Sequence, residues 1–138
     1  MVRYGFHIDY GFHTNEVKAT DRIACSSFHA AVELIGKRWN GVIIEALLTR
    51  ALRFSELRGA IPEITPAMLS QRLKELERQQ LVRREVSAER PVEVTYSLTA
   101  VGRQLSVVLD AVAEWSLGWS GEEGKGRLWN SASTHSAS

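Results

Sequence analysis

The 138-residue chain has a single cysteine, Cys25, which excludes an intrachain disulfide framework and any cysteine-cluster metal site. Long apolar runs are missing as well. The longest, such as Val42-Ile43-Ile44 and Val107-Val108-Leu109, are far shorter than the roughly 20 residues needed to span a bilayer. The N-terminus lacks a basic stretch followed by an apolar one, so export is not expected and the cytoplasm is the expected compartment. Also missing are a nucleophile elbow, a P-loop, a dinucleotide fingerprint and a metal-spaced His/Cys set. Most carboxylates sit beside Arg or Lys, as surface pairs do. Neither an enzyme nor a bound cofactor or metal is expected.

Hydrophobic residues make up 44% and charged residues 24% of the chain, the balance of a folded globular protein of about one domain. The net charge is only +1, but its distribution is uneven. Lys37 to Arg90 holds eleven Lys and Arg against seven Glu, an excess of four positive charges, while the rest of the chain has an excess of three negative ones. A basic middle between acidic flanks is a weak footprint of a phosphate-binding face, equally compatible with an ordinary solvated surface.

Residues 1–24 contain a short echo, Tyr4-Gly5-Phe6-His7-Ile8-Asp9 and Tyr10-Gly11-Phe12-His13-Thr14-Asn15. Two six-residue copies are too few and too short to stack as a solenoid. The glycines argue against a helix, and two histidines are a weak signal for a metal. The segment reads as an irregular or strand-like arm that could pack on a partner subunit. From Ser26 to Ile35, Phe28, Ala31, Val32 and Ile35 recur at helical spacing, and Gly36 ends the run. Trp39, Val42, Ile43, Ala46 and Leu47 form the stripe of a second helix, with Trp39 placed in the core. Ser55 is a plausible cap for a short helix over Glu56–Ala60, which Pro62 terminates. Thr65 followed by Pro66 is a strong helix start, and the helix Thr65–Gln79 carries Leu69, Leu73 and Leu76 on one side.

The period then changes. Residues 81–86 and 92–98 are rich in β-branched and aromatic residues, and the second run alternates Val92, Val94, Tyr96 and Leu98 with Glu93, Thr95 and Ser97. Ser87 to Pro91 is the turn of a hairpin with a charged tip. Thr99 caps a last helix running to about Trp119, and the Gly/Ser-rich tail 120–138 is expected to be disordered. Three helices followed by a hairpin and a long helix predict a mostly helical α+β fold, a winged helix-turn-helix with a two-stranded wing. Residues 25–119 form that domain, the last helix included. An α-helix fits the major groove, and a hairpin tip with Arg can reach an adjacent groove or backbone.

Several blocks in order carry a resemblance: Gly36-Lys37-Arg38-Trp39, Arg53-Phe54-Ser55-Glu56-Leu57, Ile64-Thr65 with Met68-Leu69, Arg72-Leu73, Leu76-Glu77, Leu81-Val82-Arg83-Arg84, and Tyr96-Ser97-Leu98-Thr99 with Gly102. From Cys25 to Trp115 the chain resembles the HxlR family of bacterial transcriptional regulators, which is related to the MarR group. The resemblance implies a homodimer on a pseudo-palindromic operator, with dimer contacts from the N- and C-terminal helices, here Phe28, Leu105, Val108, Leu109, Val112 and Trp115. The chain departs from the family pattern at Ser26, where Pro is usual, at Arg50, Glu63 and Gln80, where Gly is usual, and at Thr95, where Glu is usual. Gln80 stands where a positive φ is needed, a strained choice for glutamine.

The candidate base-reading residues are Thr65, Pro66, Ala67, Ser70 and Gln71, since Gln suits adenine and small residues permit close approach. The candidate phosphate contacts are Lys37, Arg38, Arg53, Arg72, Lys74 and Arg90; for Arg53 the competing role is a structural ion pair. Some members of the family sense oxidants or electrophiles through a cysteine just before the first helix, the place of Cys25, and thiols at helix N-termini tend to be reactive. A buried structural thiol is the plainer alternative. Two other readings stay open: control by a small effector in a pocket at the dimer interface, and a winged helix used to bind protein rather than double-stranded DNA.

Overall fold

Caps and turns decide where each element begins. In the computed structural model residues 19–119 are described, and the chain forms two compact units that divide between Lys37 and Arg38. The first unit holds helices α1 (Ala19–Ala24) and α2 (Ser26–Gly36), joined at an extended Cys25 with φ −88° and ψ 119°. A helix therefore occupies the end of the stretch expected to be an irregular arm. The Tyr-Gly-Phe-His echo and the 120–138 tail lie outside the described residues. The expected stripe of α2 is present but uncovered: Phe28 and Val32 are exposed, and no residue of the helix is buried.

The second unit begins with α3 (Asn40–Thr49), one residue later than the stripe predicts. Trp39 is half-buried and lies ahead of the helix, with φ 80° and ψ −21°. A left-handed residue cannot continue into a right-handed helix, so the first turn starts at Asn40. The buried face becomes Asn40, Ile43, Ile44 and Leu47, spaced i, i+3, i+4 and i+7, while Val42, expected in the core, is exposed.

Next come β1 (Leu52–Arg53), α4 (Phe54–Ala60) and α5 (Pro66–Arg78). The N-cap of α4 is Arg53 rather than Ser55: the Glu56 carboxylate reaches back to accept the Arg53 N–H at 2.8 Å. In α5, the Thr65 hydroxyl oxygen accepts the Met68 N–H at 3.1 Å and Pro66 occupies the first turn, where its missing N–H is harmless. Then follow β2 (Val82–Val86), β3 (Val94–Leu98), α6 (Ala100–Arg103) and, after a turn at Gln104, α7 (105–119).

The β2–β3 hairpin is the expected two-stranded wing, and β1 joins it to make a sheet of three strands. Their order is β1-β3-β2, all antiparallel, with Leu52 opposite Tyr96 and Arg84 opposite Tyr96 on the other side. Leu57, Leu69, Leu73 and Leu76 from the helices, with Ile61 and Ile64 from the turn between α4 and α5, meet Leu52, Leu81, Val82 and Leu98 from the sheet region in one core. Each large side chain fully buried there contributes about 1.5–3 kcal/mol. None of the described helices is long and apolar enough to cross a membrane.

Two polar clusters fix the wing. In the first, Arg53 pairs with Glu56 at 3.7 Å and with Glu93 at 3.8 Å, and Arg50 pairs with Glu56 at 3.6 Å. The hydrogen bond from the Arg53 N–H, helped by the charges of Arg50 and Arg53, holds the Glu56 carboxyl below its ordinary pKa against the opposing effect of desolvation. In the second, Gln80 adopts φ 63°, as its place in the sequence requires. The Thr99 N–H donates to the Leu81 carbonyl at 3.0 Å, and the Thr99 hydroxyl donates to the Gln80 carbonyl at 2.8 Å while accepting the Gly102 N–H at 3.0 Å. Gly102 is buried so closely on this turn that a Cβ there would lie 2.2 Å from the Leu81 oxygen.

Gly102→Ala must therefore push apart two backbone segments. It is expected to lose about 2–3 kcal/mol in urea unfolding, whereas Gln80→Gly, which relieves the positive φ, is expected to gain about 1 kcal/mol. A Gly102→Ala protein with an unchanged urea midpoint contradicts this account of the junction. A second measurement addresses Glu56. Because its pKa is lowered on folding, its contribution is present above the ordinary carboxylate value and is lost as pH falls through the folded value. The stability gap between wild type and Glu56→Gln should be widest near neutral pH and narrow as pH falls into and below the ordinary carboxylate range. A gap independent of pH removes the carboxylate from that role.

Candidate nucleic-acid interface

The α5 helix divides its surface by chemistry. Leu69, Leu73 and Leu76 are buried and fasten it to the core. Ala67, Gln71, Lys74 and Arg78 are exposed and recur at i, i+4, i+7 and i+11, which puts them on one outer face. Thr65 and Pro66 are exposed at its N-terminal end, and Ser70 is half-buried at the edge of that face. The five residues expected to read bases thus lie together on the N-terminal half of one helix. Its first N–H groups have no partner within the helix, apart from the Met68 N–H that Thr65 takes.

The cations expected to meet phosphates fall into three groups. Lys74 is exposed on the outer face of α5, and Arg90 is exposed on the loop that joins β2 to β3. That loop is closed by the Ser87 N–H donating to the Glu93 carbonyl at 2.8 Å, with the Ser87 hydroxyl accepting the Glu93 N–H at 2.9 Å and donating to the Glu89 carbonyl at 3.2 Å. Arg83 and Arg84, exposed on β2, add charge to the wing. Arg38 is exposed, with its guanidinium carbon 4.7 Å from the Trp39 ring centroid. Lys37 belongs to the N-terminal unit, where its N–H donates to the Leu34 carbonyl at 3.4 Å behind α2.

Arg53 and Arg72 do not stand out into solvent in the expected way. Arg53 is half-exposed and bridges Glu56 and Glu93, the structural ion pair named as its competing role. Arg72 has a side chain only 11% exposed, because it lies at the margin of the leucine face. Its Nε donates to the Arg38 carbonyl at 3.0 Å and its Nη1 to the Glu75 carboxylate at 3.2 Å. A guanidinium so occupied is turned to the protein. No local sequence pattern signals this, since Arg38 and Arg72 lie far apart in the chain.

The residues expected at a dimer contact lie on α7 and α2. Val108, Val112, Trp115 and Trp119 form an exposed stripe on α7, with Trp115 61% exposed and Trp119 56% exposed. The two indole rings stack at 5.0 Å between centroids, 14° from parallel. Leu105 and Leu109 are half-buried, and Leu109 approaches Gly41 of α3, so these two pack at least partly within their own chain. In the N-terminal unit Phe28 is 40% exposed and meets the His29 ring edge-on at 6.3 Å between centroids. Cys25 is a free, exposed thiol, which disfavours the buried structural role. Among the described residues no group of three His, Cys, Asp or Glu could hold a metal, and His7 and His13 lie outside them.

Comparison with known proteins accords with this geometry. Residues 34–124 match the model of the HxlR-like helix-turn-helix family. The chain is 41% identical over 95 residues to the HTH-type transcriptional regulator YvaP of Bacillus subtilis, covering 69% of this chain and 88% of that one. It is 44% identical over 92 residues to the regulator YodB of the same organism, covering 67% and 82%. The reduced form of YodB superposes with a TM-score of 0.66 over 72% of this chain and 95% of that chain, at 41% identity. YodB has also been solved diamide-treated and with quinone bound. The redox regulator HypR in its reduced form superposes with a TM-score of 0.63 at 35% identity, covering 67% and 92%. These relatives are regulators and not enzymes, and by family model, identity and winged fold together the chain belongs to the HxlR-like helix-turn-helix family of transcriptional regulators.

Proposed function

We propose that the chain binds double-stranded DNA sequence-specifically in the cytoplasm, as a homodimer on a pseudo-palindromic operator. The observation that carries this reading is the outer face of α5. Small and amide-bearing side chains, Ala67, Ser70 and Gln71, occupy its N-terminal half, and the cation Lys74 follows them. Such a helix can enter a major groove about 12 Å wide, with Gln71 presenting both a donor and an acceptor to a base edge. Lys74, Arg38 and Arg90 then meet the backbone on either side and fix the register without reading sequence.

The α7 stripe supports the dimer. Val112 and the stacked Trp115 and Trp119 are a large apolar surface to leave in water on a single chain, and a second copy laid along it would bury them. Symmetry would then set two reading heads about 34 Å apart, one helical turn of DNA. Control through Cys25 extends the same reading. The thiol is exposed and precedes α2, and diamide and quinones, the reagents found with YodB, are electrophiles that thiolates attack.

Three experiments test these statements. A mobility shift on the chain's own upstream promoter DNA should weaken steeply between about 50 and 200 mM salt, and Gln71→Ala should relax the preference for operator over random DNA by about 1–3 kcal/mol. Trp115→Glu with Val112→Glu should turn the dimer into a monomer in sedimentation and abolish the shift. No shift at any salt would favour a winged helix that binds protein. For control, Cys25→Ser is expected to bind DNA like wild type while no longer releasing it on diamide or quinone treatment; release that persists in Cys25→Ser sinks the thiol reading.

A further inference from the structure

Arg72 sits on the reading helix, carries a charge and does not present it outward. Three observations converge on what it does instead. Its Nη1 is held by Glu75 of its own helix at 3.2 Å. Its Nε donates to the Arg38 carbonyl at 3.0 Å, across to the turn that precedes α3. That turn is held in an unusual shape, since Trp39 takes φ 80°, a region that bulky side chains rarely occupy unless their surroundings impose it. The Arg38 guanidinium in turn lies 4.7 Å over the Trp39 ring, so a fixed backbone and a fixed indole together limit where this charge can stand.

We infer that Arg72 is a positioning residue for DNA engagement: it ties the Arg38–Trp39 turn to α5 and so presents Arg38, not itself, to the phosphate backbone beside the reading helix. This rests on the DNA-binding reading above. Lysine cannot replace arginine in such a role. The planar fork lets one side chain serve Glu75 and the Arg38 carbonyl at once, whereas an ammonium is a single compact donor group on a flexible stem. The benefit to binding is preorganisation. A long cation that already stands beside the groove loses less freedom on meeting a phosphate than one that must first be ordered.

The test compares variants that keep or remove charge. Arg38→Ala should lower the slope of log K against log salt by about 0.9, the loss of one phosphate contact. Arg72→Lys keeps the charge, yet should lower the slope by a similar amount, and the double variant should bind no more weakly than Arg38→Ala alone. Glu75→Gln removes a negative charge near DNA, which by itself would strengthen binding, and is expected to weaken it. In the free protein, Arg72→Lys should speed amide hydrogen exchange across residues 38–43, a readout that needs no DNA. Wild-type binding with additive losses for Arg38→Ala and Arg72→Ala would assign Arg72 its own phosphate and overturn the inference. So would an Arg72→Lys protein that binds and exchanges like wild type. Failure of the wild-type chain to bind any DNA would overturn the DNA reading, with this inference, at the first step.

Discussion

The Leu81 carbonyl is where the second unit is joined. It accepts the Thr99 N–H, and Gly102 packs against it more closely than any side chain would allow. One residue earlier, Gln80 reverses the chain through a positive φ and gives its own carbonyl to the Thr99 hydroxyl. The end of α5, the start of β2, the end of β3 and the start of α6 therefore meet at one hydrogen-bonded point. The reading helix, the wing and the helix leading to the α7 stripe cannot turn independently while that point holds. For the proposed dimer, whose two heads would have to match a fixed spacing on DNA, such rigidity between α5 and the α7 stripe would be a functional requirement.

The main elements were legible in the sequence because their signals are local. The Thr65-Pro66 start, the leucine spacing of α5 and the alternation of residues 92–98 each encode an element within a few residues, and each element is found. Gln80 was legible for another reason: a non-glycine stood where the family pattern asks for glycine, and the backbone kept its demand. The errors cluster where a distant residue decides. Trp39 looks like the head of an apolar stripe, but the turn before α3 makes it left-handed and moves the buried face to Asn40, a polar residue that a hydrophobic pattern skips. The strand β1 is two residues long and exists only because β3 lies beside it.

The candidate site divides along the same line. The face carrying Ala67, Gln71 and Lys74 could be placed by counting 3.6 residues per turn from the leucines. Which cations stay outward could not be placed that way, because it depends on the acids each one meets. Arg53 finds Glu56 nearby but also Glu93 from the far end of the wing loop, and Arg72 finds the Arg38 carbonyl. Composition showed that the middle of the chain is basic. It did not show that part of this charge is used internally.

That internal use bears on how the fold reads DNA. An exposed ion pair such as Arg53–Glu93 contributes about 0–1 kcal/mol, too little to explain the stability of the wing by itself. Its effect is geometric: it links β1, the cap of α4 and the root of the wing loop, so Arg90 is carried on a braced hairpin. Arg72 does the same for the turn that bears Arg38. Two arginines held by the protein thus stand behind two exposed at its surface. On the proposed reading, the inner pair gives up direct contact with phosphate and in return fixes where the outer pair stands, leaving base recognition to the uncharged N-terminal half of α5.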